Sequence, residues 1–165
     1  MKKIMFVLLS LLLALSIIAW KFKEGGDKAN GTIVYKLKAK TFTGNLKYVY
    51  LFEAKDQFNP SETFRKLVFS GKDLTDKIKS CKDLSCLEGN LGEGFSLDLV
   101  KGSRYNYWIV LNGQMVQYSG SCHPESLITT VNSSSRISGT FQQDDSAAGG
   151  PVIKVSFDAT LSKKF

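Results

Sequence analysis

Four residues concentrate most of the chemistry this sequence offers: Cys81, Cys86, Cys122 and His123. By type they would make a Cys3His zinc set. The spacing opposes it, because Cys122 and His123 are adjacent, and an extended chain sends adjacent side chains to opposite sides. A disulfide would also remove two of the ligands. Four residues separate Cys81 from Cys86 and Leu87 follows, so neither a redox C-x-x-C nor a haem C-x-x-C-H exists. His123 is the single histidine and precedes Pro124, which biases its backbone towards an extended form. For nucleophilic catalysis it would have to activate Cys122 or a serine, yet catalytic partners normally come from separate elements. A carboxylate from Asp98 or Glu125, both near strand ends, could reach the imidazole. Gly120-Ser121-Cys122-His123 resembles a G-x-S-x-G nucleophile elbow only superficially. The sequence thus assigns no catalytic residue, no metal ligand and no cofactor.

The same residues have a structural reading. In an oxidising compartment two of three thiols normally pair. Spacing alone leaves three pairings open. Cys81 with Cys86 is favoured, because the glycine-bounded segment around them lacks a strand pattern and a short loop there could close; Cys122 is then free. Asp144-Asp145 reads as a polar loop without the spacing of a calcium loop. Lys36, Lys38 and Lys40 alternate along the first strand and would project from one face. That stripe would either meet an anionic surface ligand or guard an edge strand against aggregation. Tyr105, Tyr107, Trp108 and Tyr118 could form an aromatic platform. By alternation Tyr105 and Tyr107 share a face with Ile109 and Leu111, opposite Trp108, so core packing takes most of them.

The elements that must position these residues are strands. Ile33, Tyr35, Leu37 and Ala39 alternate with lysines, and Thr43-Gly44-Asn45 reads as the turn into a second strand, Leu46 to Lys55. Asp56 to Glu62 reads as a loop and Thr63 to Ser70 as a third strand. A short helical insertion is expected around residues 73–88, with Asp73 and Asp83 opening its two turns and Gly89 ending it. Phe95, Leu97 and Leu99 resume the strand pattern. Arg104 to Leu111 and Gln114 to Tyr118 flank Asn112-Gly113, which predicts a type I′ hairpin. Leu127 to Val131 and Arg136 to Gln142 form a second pair. In the last strand Ile153, Val155, Phe157, Ala159 and Leu161 face in, while Lys154, Ser156, Asp158 and Thr160 face out. About eight strands without alternating helices predict an all-β fold, an antiparallel β-sandwich of immunoglobulin-like or jelly-roll-like topology, with a closed barrel as the alternative.

Met1-Lys2-Lys3 followed by Ile4 to Trp20, 17 residues without charge, reads as a signal peptide over residues 1–19. The alternative is an uncleaved anchor attaching the chain to a membrane through residues 4–20. Residues 20–31 read as a flexible spacer, and 32–165 as a single domain. Aromatics make up 12% and charged residues 22% of the chain, which excludes disorder. The net charge of +7 includes Lys2 and Lys3 and is too mild for a nucleic-acid-binding protein.

The hairpin Asn106-Tyr107-Trp108-Ile109-Val110 … Gln117-Tyr118-Ser119-Gly120 and the tail Ser146-Ala147-Ala148-Gly149-Gly150-Pro151 … Phe157-Asp158-Ala159 resemble a group of small exported bacterial proteins of unassigned function. The resemblance covers the C-terminal half and implies a bacterial envelope setting, with no substrate, cofactor or catalytic residue. Together these features point to an exported, periplasmic or extracellular β-domain that binds an envelope protein or an anionic surface ligand without catalysis. Lys36, Lys38, Lys40 and Trp108 are the candidate contact residues. The competing classes are a hydrolase using carboxylates or Cys122 with His123, and a membrane-anchored accessory subunit.

Thiol counting of the purified protein under denaturing, non-reducing conditions should give one reactive group per chain, and three after reduction.

Overall fold

The computed structural model describes residues 26–56 and 59–165. The signal peptide or anchor of residues 1–19 lies outside the described residues. Among those described, no helix is long and apolar enough to cross a membrane. The fold is all-β with nine strands: β1 (Asp27–Leu37), β2 (Lys40–Lys55), β3 (Thr63–Ser70), β4 (Gly94–Leu99), β5 (Tyr105–Leu111), β6 (Val116–Cys122), β7 (Leu127–Asn132), β8 (Arg136–Asp144) and β9 (Val152–Lys164). Two short helices, α1 (Thr75–Ser80) and α2 (Leu84–Gly89), fill the expected insertion.

Instead of two separate sheets, the nine strands make one sheet in the order β6-β5-β4-β3-β2-β1-β9-β8-β7, curled into a half-barrel. The reason is β1, which pairs antiparallel with β2 on one side and β9 on the other. It also begins earlier than the sequence implies. Residues 27–31, expected in the spacer, are strand, and Asp27 is buried. Its carboxylate accepts from the Thr160 amide and, at 2.6 Å, from the Thr160 hydroxyl. Beyond Asp27, β2 and β9 pair directly in parallel, Leu51 opposite Leu161.

The first hairpin is also placed differently. The turn is Lys38-Ala39, with Lys38 at φ +54°, and Thr43-Gly44-Asn45 lies within β2 opposite β1. Gly44 is a strand glycine, since a Cβ there would stand 2.7 Å from Leu111 Cδ2. Asn112-Gly113 does connect antiparallel strands, but not as a two-residue type I′ loop. Leu111 pairs with Val116, leaving four residues in the turn, and φ is positive at Asn112, Gly113 and Gln114.

The concave face holds the main core. Phe69 stacks on Phe95 at 4.4 Å between centroids and meets Phe157 edge-on at 5.2 Å, while Phe95 contacts Phe141 at 5.5 Å. Strands distant in the sheet thus touch across its interior. In β9, Ile153, Val155, Phe157 and Ala159 are buried and Lys154, Ser156 and Asp158 exposed, as the alternation predicts; Leu161 is half-buried. A second cluster lies on the convex face, where Leu74, Ile78 and Leu87 of the helical segment cover Tyr50, Phe52, Val68 and Val110. Strands β2 and β3 are therefore apolar on both faces.

Phe157→Ala should cost about 3–5 kcal/mol, because the cavity would open between β3 and β9. Asp27→Ala should cost about 1–2 kcal/mol, since the Thr160 groups lose their acceptor near solvent. Urea unfolding of both variants measures the difference.

Candidate functional site

Antiparallel register lays the convex face out as a lattice. One row across β3, β4, β5 and β6 reads Lys66, Asp98, Asn106, Ser121; the next reads Val68, Ser96, Trp108, Ser119. Strands lie about 4.8 Å apart, so each polar group has a neighbour within reach. Beside this lattice stands α2, which contributes Glu88. Together they line an open cleft of about 580 Å³.

The sequence fixes α2 in place by several local devices. The Asp83 carboxylate accepts from the Cys86 amide at 2.8 Å and caps the helix. Leu87 is buried in the convex cluster. The disulfide Cys81–Cys86, with Cα atoms 5.5 Å apart, ties the end of α1 to α2. Gln114 Nε2 donates to the Gly89 carbonyl at 2.7 Å, joining the β5–β6 turn to the helix end. These contacts hold Glu88 over β3.

At the floor of the cleft Lys66 is buried, with its ammonium hydrogen-bonded to Glu88 and 3.0 Å from Asp98 Oδ1. Burial disfavours the lysine's charge, but the Asp98 and Glu88 carboxylates outweigh it and raise the Lys66 pKa above its ordinary 10.5. Burial raises the Asp98 pKa above 3.8, and Lys66 offsets only part of that effect. The approach of Lys66 to Asp98 Oδ1 is an ion pair without hydrogen-bond geometry. Among the described residues that buried oxygen has no hydrogen-bond partner. Trp108 is half-buried against the convex cluster and lines the cleft between Ser96 and Ser119. Arg104 donates to the Ser121 hydroxyl at 3.3 Å from the rim.

A second polar cluster lies on the concave side. The Tyr107 hydroxyl donates to Asp145, and Gln143 Nε2 donates to the other Asp145 oxygen at 2.5 Å. Desolvation and the facing carboxylate both raise the Tyr107 pKa. Burial pushes the Cys122 thiol up to about 11, and Asp145 adds to the shift. Such a thiol is protonated at neutral pH and a poor nucleophile.

The candidates named by sequence separate accordingly. Cys81 and Cys86 pair, and Cys122 is free and buried. His123 is exposed in extended backbone ahead of a 3-10 turn, whereas Cys122 is buried. Asp98, considered as a partner for His123, pairs with Lys66 instead. Among the described residues, no group of three or more His, Cys, Asp or Glu side chains is arranged to hold a metal ion.

The lysine stripe does not form. Lys36 lies on β1, Lys38 in the turn, and Lys40 on β2 opposite Leu37, so Lys36 and Lys40 occupy opposite faces. Nor is β1 an edge strand. Trp108 alone among the named contact residues belongs to the cleft. Sequence reasoning missed Lys66 and Glu88, and read Asp145 only as loop. By alternation Lys66 shares a strand face with Val68, and a lysine beside a valine on one face of an apolar strand was the available signal.

No protein-family model matches the chain, and no curated protein matches it. Among solved structures, the crystal structure of Burkholderia cenocepacia BcnA is similar at 12% identity and a TM-score of 0.31, covering 80% of this chain and 96% of that chain. A likeness at that score carries no inference about function.

Lys66→Met should destabilise the protein by about 2–3 kcal/mol near pH 7. The figure lies below the 3–5 kcal/mol of a fully buried pair because Glu88 and Asp98 keep some contact with water. The deficit should shrink on acidification, as the two stranded carboxylates take up protons. In the wild type the lysine's contribution should persist to pH 10.5 and fade as pH rises through its raised folded value. Urea midpoints measured against pH check both signs.

Proposed function

We propose that this protein is an exported, non-enzymatic binding module of the cell envelope, and that its ligand seats in the convex cleft. The observation that carries the reading is Lys66, buried between Glu88 and Asp98 in the cleft that Trp108 also lines. A lysine held as an ammonium by two carboxylates is neither a nucleophile nor a base at neutral pH. It rigidifies the floor of a site whose remaining groups are hydroxyls, an amide and an indole. That composition suits recognition, with hydroxyl, amide and carboxylate groups at fixed spacings beside a single indole. Export is supported by the basic start and uncharged run of residues 1–20, and by pairing of Cys81 with Cys86, a bond favoured in oxidising compartments. The same run retained as an anchor would make the chain a membrane-tethered subunit with the same cleft.

A hydrolase is the second reading, and one observation favours it: the raised pKa of Asp98 beside a second carboxylate, the condition of a general acid.

The two readings separate in one experiment. The 15N-labelled protein is titrated with maltotriose, a Gly-Gly-Lys peptide and glycerol 3-phosphate, and the samples are then incubated for a day. A binding module should show saturable shifts at the Trp108 indole and the Ser119 and Ser121 amides, with every probe recovered intact. Cleavage of a probe that depends on Asp98 would establish the hydrolase; shifts confined to surfaces away from the cleft would overturn both.

A further inference from the structure

We infer that the ligand of the convex cleft is a neutral saccharide, seated with a sugar ring on Trp108; the inference rests on the cleft being the binding site. The charges come first. Lys66 and the rim guanidinium of Arg104 stand against Glu88 and Asp98, so the site is balanced. An anionic ligand would find the Lys66 ammonium already engaged by two carboxylates. A cationic one would meet carboxylates whose charge that same lysine already offsets, with the Arg104 guanidinium at the rim. Neither charge is favoured, and a neutral ligand pays no such cost.

The uncharged groups then select among neutral ligands. Ser96, Ser119 and Ser121 carry hydroxyls, and Asn106 an amide, so each both donates and accepts. Sugar hydroxyls have the same dual character. The Asp98 carboxylate accepts only, and its side chain keeps 29% exposure, so it offers a strong acceptor to a ligand hydroxyl. Register puts Trp108 between Ser96 and Ser119 on one row, with Asp98, Asn106 and Ser121 on the row beside it. An apolar ring face flanked on two sides by hydrogen-bonding groups matches a pyranose, whose faces present C–H bonds and whose perimeter presents hydroxyls. An aliphatic ligand would leave this perimeter unpaired, at the cost of desolvating each group. The concave interior, the alternative seat for such a ligand, is filled by Phe69, Phe95, Phe141 and Phe157.

The test uses the full chain with Trp20→Phe, so that emission reports Trp108 alone. It is titrated with maltotriose, cellotriose and tri-N-acetylchitotriose, and in parallel with trigalacturonate and the deacetylated, cationic chitotriose. At least one neutral trisaccharide should shift the emission saturably. Isothermal titration calorimetry with the same sugar, needed because these two variants carry no tryptophan, should find binding weakened about tenfold or more in Trp108→Ala and mostly retained in Trp108→Phe. A Ser119→Ala, Ser121→Ala double variant, which leaves the apolar cluster intact, should weaken it as well; circular dichroism checks that each variant is folded. Binding of only the charged trisaccharides, or neutral binding indifferent to both Trp108→Ala and the double serine variant, would overturn the saccharide and leave the cleft. If none of the five shifts Trp108, the saccharide assignment fails; the peptide and phosphate titrations described above then decide whether the cleft reading fails with it.

Discussion

The architecture depends on β1 being paired along both sides. It joins β2–β6 to β7–β9, so the chain makes one sheet where eight or nine strands would otherwise divide into two. The junction is secured at its open end by a buried carboxylate. Asp27 holds Thr160 of β9, and beyond it β2 and β9 close directly on each other. A buried acid is costly unless its oxygens are hydrogen-bonded, and here two donors on one residue meet it. Curling the sheet brings its two halves face to face, which lets Phe69 and Phe95 reach Phe141 and Phe157.

The free edges of this half-barrel are β6 and β7, consecutive in sequence. Side chains and a loop bring its halves together where no ladder does. Tyr107 reaches Asp145 in the β8–β9 loop, and Tyr118 packs edge-on against Tyr35 at 5.6 Å. Gly120 makes room for the Tyr107 ring, because a Cβ there would lie 2.6 Å from it. These contacts fill the interior with side chains and move any ligand chemistry to the outside of the sheet.

On the convex face the disulfide-tied helices divide the surface. Over β2 and β3 they cover an apolar cluster, and beyond α2 the sheet is open and polar. Lys66 sits at that border. It is buried by the helix and compensated by the Asp98 opposite it in the sheet and the Glu88 above it. The disulfide therefore has a consequence beyond stapling an irregular loop: it fixes the helix that supplies half of the lysine's compensation.

Local pattern determined much of this protein. Alternation identified the all-β class, the inward face of β9 and the strand pairs β5–β6 and β7–β8; the Asp83 cap and the missing strand period identified the helical insertion and the Cys81–Cys86 pair, whereas Leu74, not Asp73, stands at the N-cap of α1. Each depends on residues near one another in the chain. Register and long-range pairing lay outside that information. Thr43-Gly44-Asn45 has turn composition, and only Leu111, distant in sequence, explains a glycine inside β2. Lys36 and Lys40 look like one stripe until a turn at Lys38 places them on opposite faces. Lys66, Glu88 and Asp98 come from β3, α2 and β4, and no spacing between them marks a site. The tertiary structure decided it, because ion pairing and desolvation act through space, and a buried lysine becomes stable only when the fold delivers carboxylates from other segments.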